Sequence, residues 1–361
     1  MRATPRIGVF YLAWGRLADP VTPFETFLES YLRRDAGVEH QLYIICKGFT
    51  SNDDLRRLSE KTKAAPHALV YVDERELDIG AYYAAAMQCE CDVVCFLNTY
   101  SEILGEWWLA KLSRNLARPS VGLVGCSGSY EAPTHGGRYD NIPFPSPHLR
   151  SNAFMLGRDV FLKIKPRHSL NDKFSTYIFE HGRMSLTRRI VSLGLDVLVV
   201  GKDGRGYSVN EWSRSRTFRQ GGQTNLLIGD NRTRDFDLAP APEKRSLFRM
   251  AWSDRSNGLL KLVEAEDVEV YDLVAVAYQT LLRRSPTMEE YEDGAGIISS
   301  SADGGEYLLQ QIVSTEEFMA SGNIAPSFIT MVEDKKLLQT TPTSSLSDLM
   351  LGGSVGSTLE S

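Results

Sequence analysis

Long apolar runs are missing from this sequence. The longest, near Leu193–Val200, is broken by Asp196 and falls short of the ~20 residues a membrane span requires. Met1-Arg-Ala-Thr-Pro leads straight into a strand-like Ile7-Gly-Val-Phe-Tyr-Leu, with no apolar signal region of ~7–15 residues before it. This pattern points to the cytoplasm. Cysteine is scarce and odd in number, at five. Cys46, Cys91, Cys95 and Cys126 sit among apolar or small residues, and Cys89, Cys91 and Cys95 have no second CxxC or HxxxH to close a zinc tetrahedron. Reduced, structural thiols are expected. The histidines (40, 67, 135, 148, 168 and 181) show no i, i+4 pair, which argues against a His-based metal site. An excess of positive charge is lacking too. Forty basic and 46 acidic residues give a net charge of -6, against a nucleic-acid binder with a basic surface.

What is present is ordinary globular composition, with 42% hydrophobic, 10% aromatic and 24% charged residues. That excludes a wholly disordered, collagenous or disulfide-scaffold chain. The 361 residues suffice for about two domains that need no covalent staples.

Strand and helix signals alternate over the first third. Strands are expected at Ile7–Leu12, Gln41–Cys46, Ala68–Val72, Asp92–Leu97 and Val121–Cys126. Helices are expected at Pro23–Arg34, Asp53–Lys63, Ile79–Gln88 and Trp107–Leu116. Such alternation predicts a doubly wound, mostly parallel α/β sheet, with ligands at the carboxyl ends of strands. The loops after Leu12, Cys46, Val72 and Leu97 are therefore the first places to seek chemistry.

Residues 127–150 are rich in Gly, Ser, Pro and aromatics, and read either as a functional loop or as a surface insertion. Asn152–Leu156 and Asp196–Val200 read as strands, Arg158–Ile164 and Glu180–Leu193 as helices, with Gly194 as the stop. Residues 203–234 are polar and mixed. The expected organisation is an α/β domain at 1–237, a linker at 238–262, a small all-α domain at 263–330 and a disordered tail at 331–361. Two stripes mark the helical part, one from Val270 to Leu282 and one over Tyr307–Phe318.

Four stretches, in this order, resemble the GT-A glycosyltransferases, specifically the family-2-like bacterial enzymes that build surface polysaccharides. They are Asp78-Ile-Gly-Ala-Tyr-Tyr-Ala-Ala-Ala, Val93-Val-Cys-Phe-Leu-Asn-Thr-Tyr-Ser-Glu, the pair Val121-Gly-Leu-Val-Gly-Cys-Ser-Gly-Ser and His148-Leu-Arg-Ser-Asn-Ala-Phe-Met-Leu, and Phe179-Glu-His-Gly-Arg-Met-Ser-Leu-Thr-Arg-Arg-Ile-Val-Ser-Leu-Gly-Leu. The resemblance implies a GT-A-like fold and transfer of a sugar from a nucleotide-sugar donor to a glycan or lipid-linked glycan acceptor, at the inner face of the membrane. The family's metal-binding Asp-x-Asp falls on Asn98 and Tyr100, neither of which carries charge. Glu102 is left as a single carboxylate for Mg²⁺ or Mn²⁺. A weakly metal-dependent or metal-free donor site follows, with Asn98–Ser101 as a plain strand-ending turn the alternative. A metal-free site needs another cation for the diphosphate, and Arg150, Arg183, Arg214 and Arg219 are the candidates.

By the same resemblance Lys47, Asp78 and Gly80 face the nucleotide, together with Asn98, Tyr100, Ser101, Arg183 and Arg219. Asp78 is alternatively the N-cap of the helix Gly80–Ala86. Arg150, Asn152 and Trp212 are expected on the acceptor side. In strict register the family's Glu-Asp falls on Gly182 and Arg183, so Glu180 becomes the candidate base of an inverting displacement, with His181 behind it. Glu180 equally suits a charge that stabilises a helix N-terminus. Trp212–Asn231 reads as a lid over the donor or as a polar extension packed on the sheet. Tyr271–Ser321, with Leu281-Leu-Arg-Arg-Ser-Pro286 and Ser314-Thr-Glu-Glu-Phe318, resembles the small helical DUF4214 family, although Met288-Glu-Glu-Tyr291 replaces its Gly-x-x-x-Trp. The alternative to an enzyme is a catalytically silent GT-A-like module that binds a glycan or a protein.

Overall fold

The computed structural model describes residues 4–73, 75, 77–132, 144–167, 170, 173–252, 273–274, 277–278, 281–284, 286–301 and 304–321. The chain divides into two units, 1–260 and 261–361. In chain order the strands are β1 (Ile7–Trp14), β2 (Gln41–Lys47), β3 (His67–Val72), β4 (Val93–Leu97), β5 (Glu102–Ile103), β6 (Val121–Gly125), β7 (Gly128–Ser129), β8 (His148–Leu149), β9 (Ala153–Gly157), β10 (Asp196–Val200), β11 (Gly206–Tyr207) and β12 (Ile228–Gly229). The helices of the first unit are α1 (Val21–Arg33), α2 (Asn52–Thr62), α3 (Asp78–Gln88), α4 (Trp108–Leu116), α5 (Arg158–Lys163), α6 (Lys173–His181), α7 (Leu186–Ser192), α8 (Asn231–Leu238) and α9 (Ala241–Trp252), with a 3₁₀ helix at Val209–Arg214.

Eight strands form one sheet in the order β11-β10-β6-β9-β4-β1-β2-β3. β1 runs parallel to β2 and β4, β2 to β3, and β6 to β10. β9 lies antiparallel between β4 and β6. Alternation along β1 explains why both faces are covered. Phe10 and Leu12 join Tyr82, Phe96, Phe154 and Phe161 on one side. Val9, Tyr11 and Ala13 join Phe24, Phe27 and Trp108 on the other. Stacked pairs fill the layers, with Tyr83 and Phe161 rings 4.0 Å apart and Tyr11 and Phe27 rings 4.1 Å apart. All five cysteines are buried and free, as expected of structural thiols. Among the described residues no helix is long and apolar enough to cross a membrane.

Two expectations are corrected. The helix expected at Glu180–Leu193 is two helices, because Gly182–Ser185 turns the chain and the Ser185 hydroxyl accepts the Arg188 N–H to start α7. Glu180 therefore sits near the end of α6, not at a helix start. The expected linker contains α9, whose Ala251 and Trp252 are buried in the core of the first unit. The Ala251 carbonyl accepts the Tyr130 N–H at 2.9 Å, and Trp252 Nε1 donates to the Phe218 carbonyl at 2.8 Å. The loop at 127–150 is partly ordered by β7 pairing with β8. Its residues 133–143, the rest of the linker (253–262) and the tail 331–361 lie outside the described residues.

The described part of the second unit is helical. Residues 273–274, 277–278 and 281–282 are helical, and α10 (Met288–Ser300), α11 (Gly304–Val313) and α12 (Glu316–Ser321) follow. Val274, Ala277, Leu281, Leu308, Ile312 and Phe318 make its core. Arg284 clasps Glu290 with two bonds of 2.8 Å and Glu317 with bonds of 2.6 and 2.7 Å, which ties the start of α10 to α12.

Candidate active site

Since β1, β2 and β4 are parallel, their carboxyl ends share one rim, and antiparallel β9 starts there. On the β2 side the Lys47 side chain is 3% exposed and its Nζ meets Asp78 Oδ1 at 3.0 Å. The sheet and α3 thus join two expected nucleotide residues 31 positions apart. Asp78 is the first residue of α3 and Leu77 its N-cap, which sets the capping alternative aside. Gly80 is buried in the first turn of that helix.

At the end of β4, Asn98 Oδ1 accepts the Tyr100 N–H at 3.1 Å and the Ser101 hydroxyl at 3.0 Å, a turn closed by its own side chain. The Asn98 N–H donates to the Asn152 carbonyl at 2.9 Å. Ser101 is fully buried. The carbonyl oxygen of Asn98 and the hydroxyl of Ser101, both expected on the donor, are engaged within the turn. Tyr100 is half-buried. Glu102, on β5, meets Arg234 of α8 at 3.1 Å. Among the described residues no group of three or more His, Cys, Asp or Glu is placed to hold a metal ion. One Arg-compensated carboxylate is a poor donor set for a hard divalent cation, so these residues do not fit Mg²⁺ or Mn²⁺.

The candidate base stands on α6. Ser151, just before β9, donates its hydroxyl to Glu180 Oε1, and His181 Nε2 is 4.0 Å from Glu180 Oε2. Burial raises the Glu180 carboxyl above the ordinary range and Asp78 adds to this, while the Ser151 bond and the charges of Arg150 and Arg232 pull the other way. The side chain keeps 26% exposure. The His181 ring meets His148 edge-on at 4.2 Å. Burial pushes His148 down to about 4, so it is neutral, and its Nδ1 lies 2.9 Å from the Ser146 carbonyl.

Arg150 reaches Asp230 Oδ2 at 2.6 Å and the Ser127 hydroxyl at 3.3 Å. Ser127 in turn donates to Asn152 Oδ1 at 2.8 Å. Arg219 is buried beside Phe218. The structure therefore gathers Arg150, Asn152 and Arg219. Arg183 lies half-buried in the turn between α6 and α7, and exposed Arg214 makes none of these contacts.

Trp212 is corrected from acceptor platform to core. It is fully buried, its Nε1 donates to the Tyr207 carbonyl at 3.0 Å, and its ring abuts Gly128. The lid reading gives way to the packed extension. Gln220 Nε2 donates to the Trp212 carbonyl and Gln223 Nε2 to the Thr233 carbonyl, so the amides face inward. Ser127, Glu131, Ser151 and Arg232 escaped the sequence reading. The first three are isolated polar residues outside the long strands and helices and Arg232 lies in the first turn of α8, so only the folded arrangement brings them to the rim.

No protein-family model matches the chain, and no curated protein does. Among solved structures it is similar to a mannosyltransferase from Pyrobaculum calidifontis in complex with GDP-Man and Mn²⁺, at 12% identity over 93% of this chain and 88% of that one, with a TM-score of 0.40. A GalNAc-T7 structure with UDP, GalNAc and Mn²⁺ matches at 13% identity over 68% and 52%, with a TM-score of 0.41. Glucosyl-3-phosphoglycerate synthase from Mycobacterium tuberculosis matches at 16% identity over 44% of this chain, with a TM-score of 0.28, and the match spans 57% of that chain's length. Identities and scores this low bear on neither activity nor ligand.

Proposed function

We propose that the chain is a nucleotide-sugar-dependent glycosyltransferase acting by inversion. In this reading Lys47 and Asp78 hold the nucleotide, and Glu180 takes the proton from an acceptor hydroxyl. The hydroxyl oxygen attacks the anomeric carbon as the bond to the diphosphate oxygen breaks, and the nucleoside diphosphate leaves. His181 is the reserve base. The acceptor is a glycan, free or lipid-linked, in bacterial surface polysaccharide synthesis at the cytoplasmic side of the membrane. The supporting observation is the placement of Glu180, a partly exposed carboxylate with raised proton affinity, held by Ser151 at the sheet rim beside Arg150. Donor binding is proposed to depend weakly on divalent ions, because Asn98 and Tyr100 stand where the resemblance puts metal ligands.

Thermal-shift measurements against UDP-, dTDP-, GDP- and CMP-sugars, with Mn²⁺ and with EDTA, test this. One nucleotide class should raise the melting temperature in EDTA, and that donor should then turn over. Folded protein that responds to none of them overturns the reading. The inward-turned Asn98 carbonyl favours a second reading, a catalytically silent module; donor stabilisation without any turnover decides for it.

A further inference from the structure

Two guanidinium groups lie against the ring of Phe218, that of Arg150 at 4.1 Å and that of Arg219 at 4.9 Å. They are unequally compensated. Arg150 has Asp230, whose other oxygen caps α8 through the Thr233 N–H at 2.9 Å. Among the described residues the ion-pair partner of Arg219 is Glu131, at 3.9 Å, with Asp230 acting at longer range, although the Arg219 side chain is just 6% exposed. Among the described residues its Nε has no acceptor. A buried cation so loosely paired is costly unless something else supplies acceptors. Asn152 Nδ2, linked to Arg150 through Ser127, is likewise buried without an acceptor. Both orphaned atoms are donors, so the complementary ligand is an acceptor-rich anion. The backbone holds Arg219 in place: its φ is 49°, in the left-handed region, and its N–H donates to Gln223 Oε1 at 2.9 Å. Exposed Arg232 acts electrostatically on both Arg219 and Glu180.

We propose that Arg150 and Arg219, set about Phe218, form a subsite for a phosphoryl group, whose oxygens satisfy the donors for which the described residues supply no acceptor. Guanidinium forks match tetrahedral oxyanions in two-bond geometry. Resting on the glycosyltransferase reading, the phosphoryl belongs either to the donor diphosphate or to a phosphate on the acceptor. In either case the arginines take over the charge compensation that the residues near Asn98 do not fit a metal to provide.

The test is isothermal titration of the full chain with inorganic pyrophosphate in EDTA. Wild type should bind, and more weakly as salt rises. Arg219→Gln should weaken binding by about 10- to 100-fold, the scale of lost charge-assisted hydrogen bonds, and Arg219→Lys should recover part of it. Arg232→Gln, at an exposed position and so safe for folding, should weaken binding by about 3- to 10-fold, through lost long-range charge. Melting of each unliganded variant reports folding; if Arg219→Gln does not fold, wild type and Arg232→Gln decide. No pyrophosphate binding by wild type, or unchanged binding in the folded variants, overturns the subsite. Displacement of pyrophosphate by a nucleotide-sugar assigns it to the donor, and displacement by dodecyl phosphate assigns it to an acceptor phosphate. Arginine-dependent pyrophosphate binding without turnover of any donor keeps the subsite and removes the glycosyltransferase reading. Turnover with unchanged donor and acceptor KM in these variants does the reverse.

Discussion

A carboxylate acts as a base only while ionised, and Glu180 is placed where ionisation is resisted. Burial raises its proton affinity, and the Ser151 hydroxyl partly restores the charged form. The acid limb of kcat/KM is therefore expected above the pH of an ordinary glutamate, and Ser151→Ala should move it higher still. A limb that stays put in Ser151→Ala separates Ser151 from the base. Glu180→Gln keeps the shape and removes the charge, so donor binding should survive while turnover falls by roughly 10²–10⁴-fold, the usual worth of a general base. Near-normal turnover in that variant moves the role to His181. At this scale the sequence was partly legible. Lys47, Asp78 and Glu180 stood out through the resemblance, and the structure adds that the first two are paired. Trp212 misled, because a tryptophan among amides and arginines reads the same whether it faces a sugar or packs on Gly128.

That packing has a consequence for the elements. A Cβ at Gly128 would stand 2.7 Å from Trp212 Cε3. The indole is fully buried and anchored to the Tyr207 carbonyl, so β7 and the 3₁₀ helix would have to separate. Gly128→Ala should cost about 1–3 kcal/mol, the range for overpacking, with an unchanged urea m-value. A loss under about 0.5 kcal/mol, the size of an ordinary surface change, would show that the contact yields freely. Most strands and helices of the first unit were readable from periodicity to within a residue or two. The break between α6 and α7 was not, because Leu186 and Ile190 continue an apolar stripe and Gly182–Ser185 carries no proline. In the second unit Arg284 and Glu317 have a structural reason of their own, since Arg284 holds Glu317 and Glu290 together.

For the whole molecule the unit boundary makes a direct prediction. A chain of residues 1–260 should fold alone and keep pyrophosphate and donor binding, whereas one ending at 240 lacks Ala251 and Trp252 of the core and should melt at a lower temperature and less cooperatively. Equal melting of the two would show α9 to be dispensable. Acid should also weaken the first unit through His148. Its folded-state value, about 4, lies below the ordinary 6.5, so its contribution is present above 6.5 and is lost as the pH falls toward about 4. That loss is on the order of 3 kcal/mol, and His148→Gln should flatten this part of the stability–pH curve in chemical denaturation. By itself the sequence determined the α/β alternation and the helical character of the described part of the second unit, because these depend on local periodicity and composition. Only the tertiary structure decided the antiparallel insertion of β9, the docking of α9 on the core and the meeting of Arg150, Phe218, Arg219 and Asp230. Those depend on which segments of the chain pack side by side, and no spacing along the sequence encodes that.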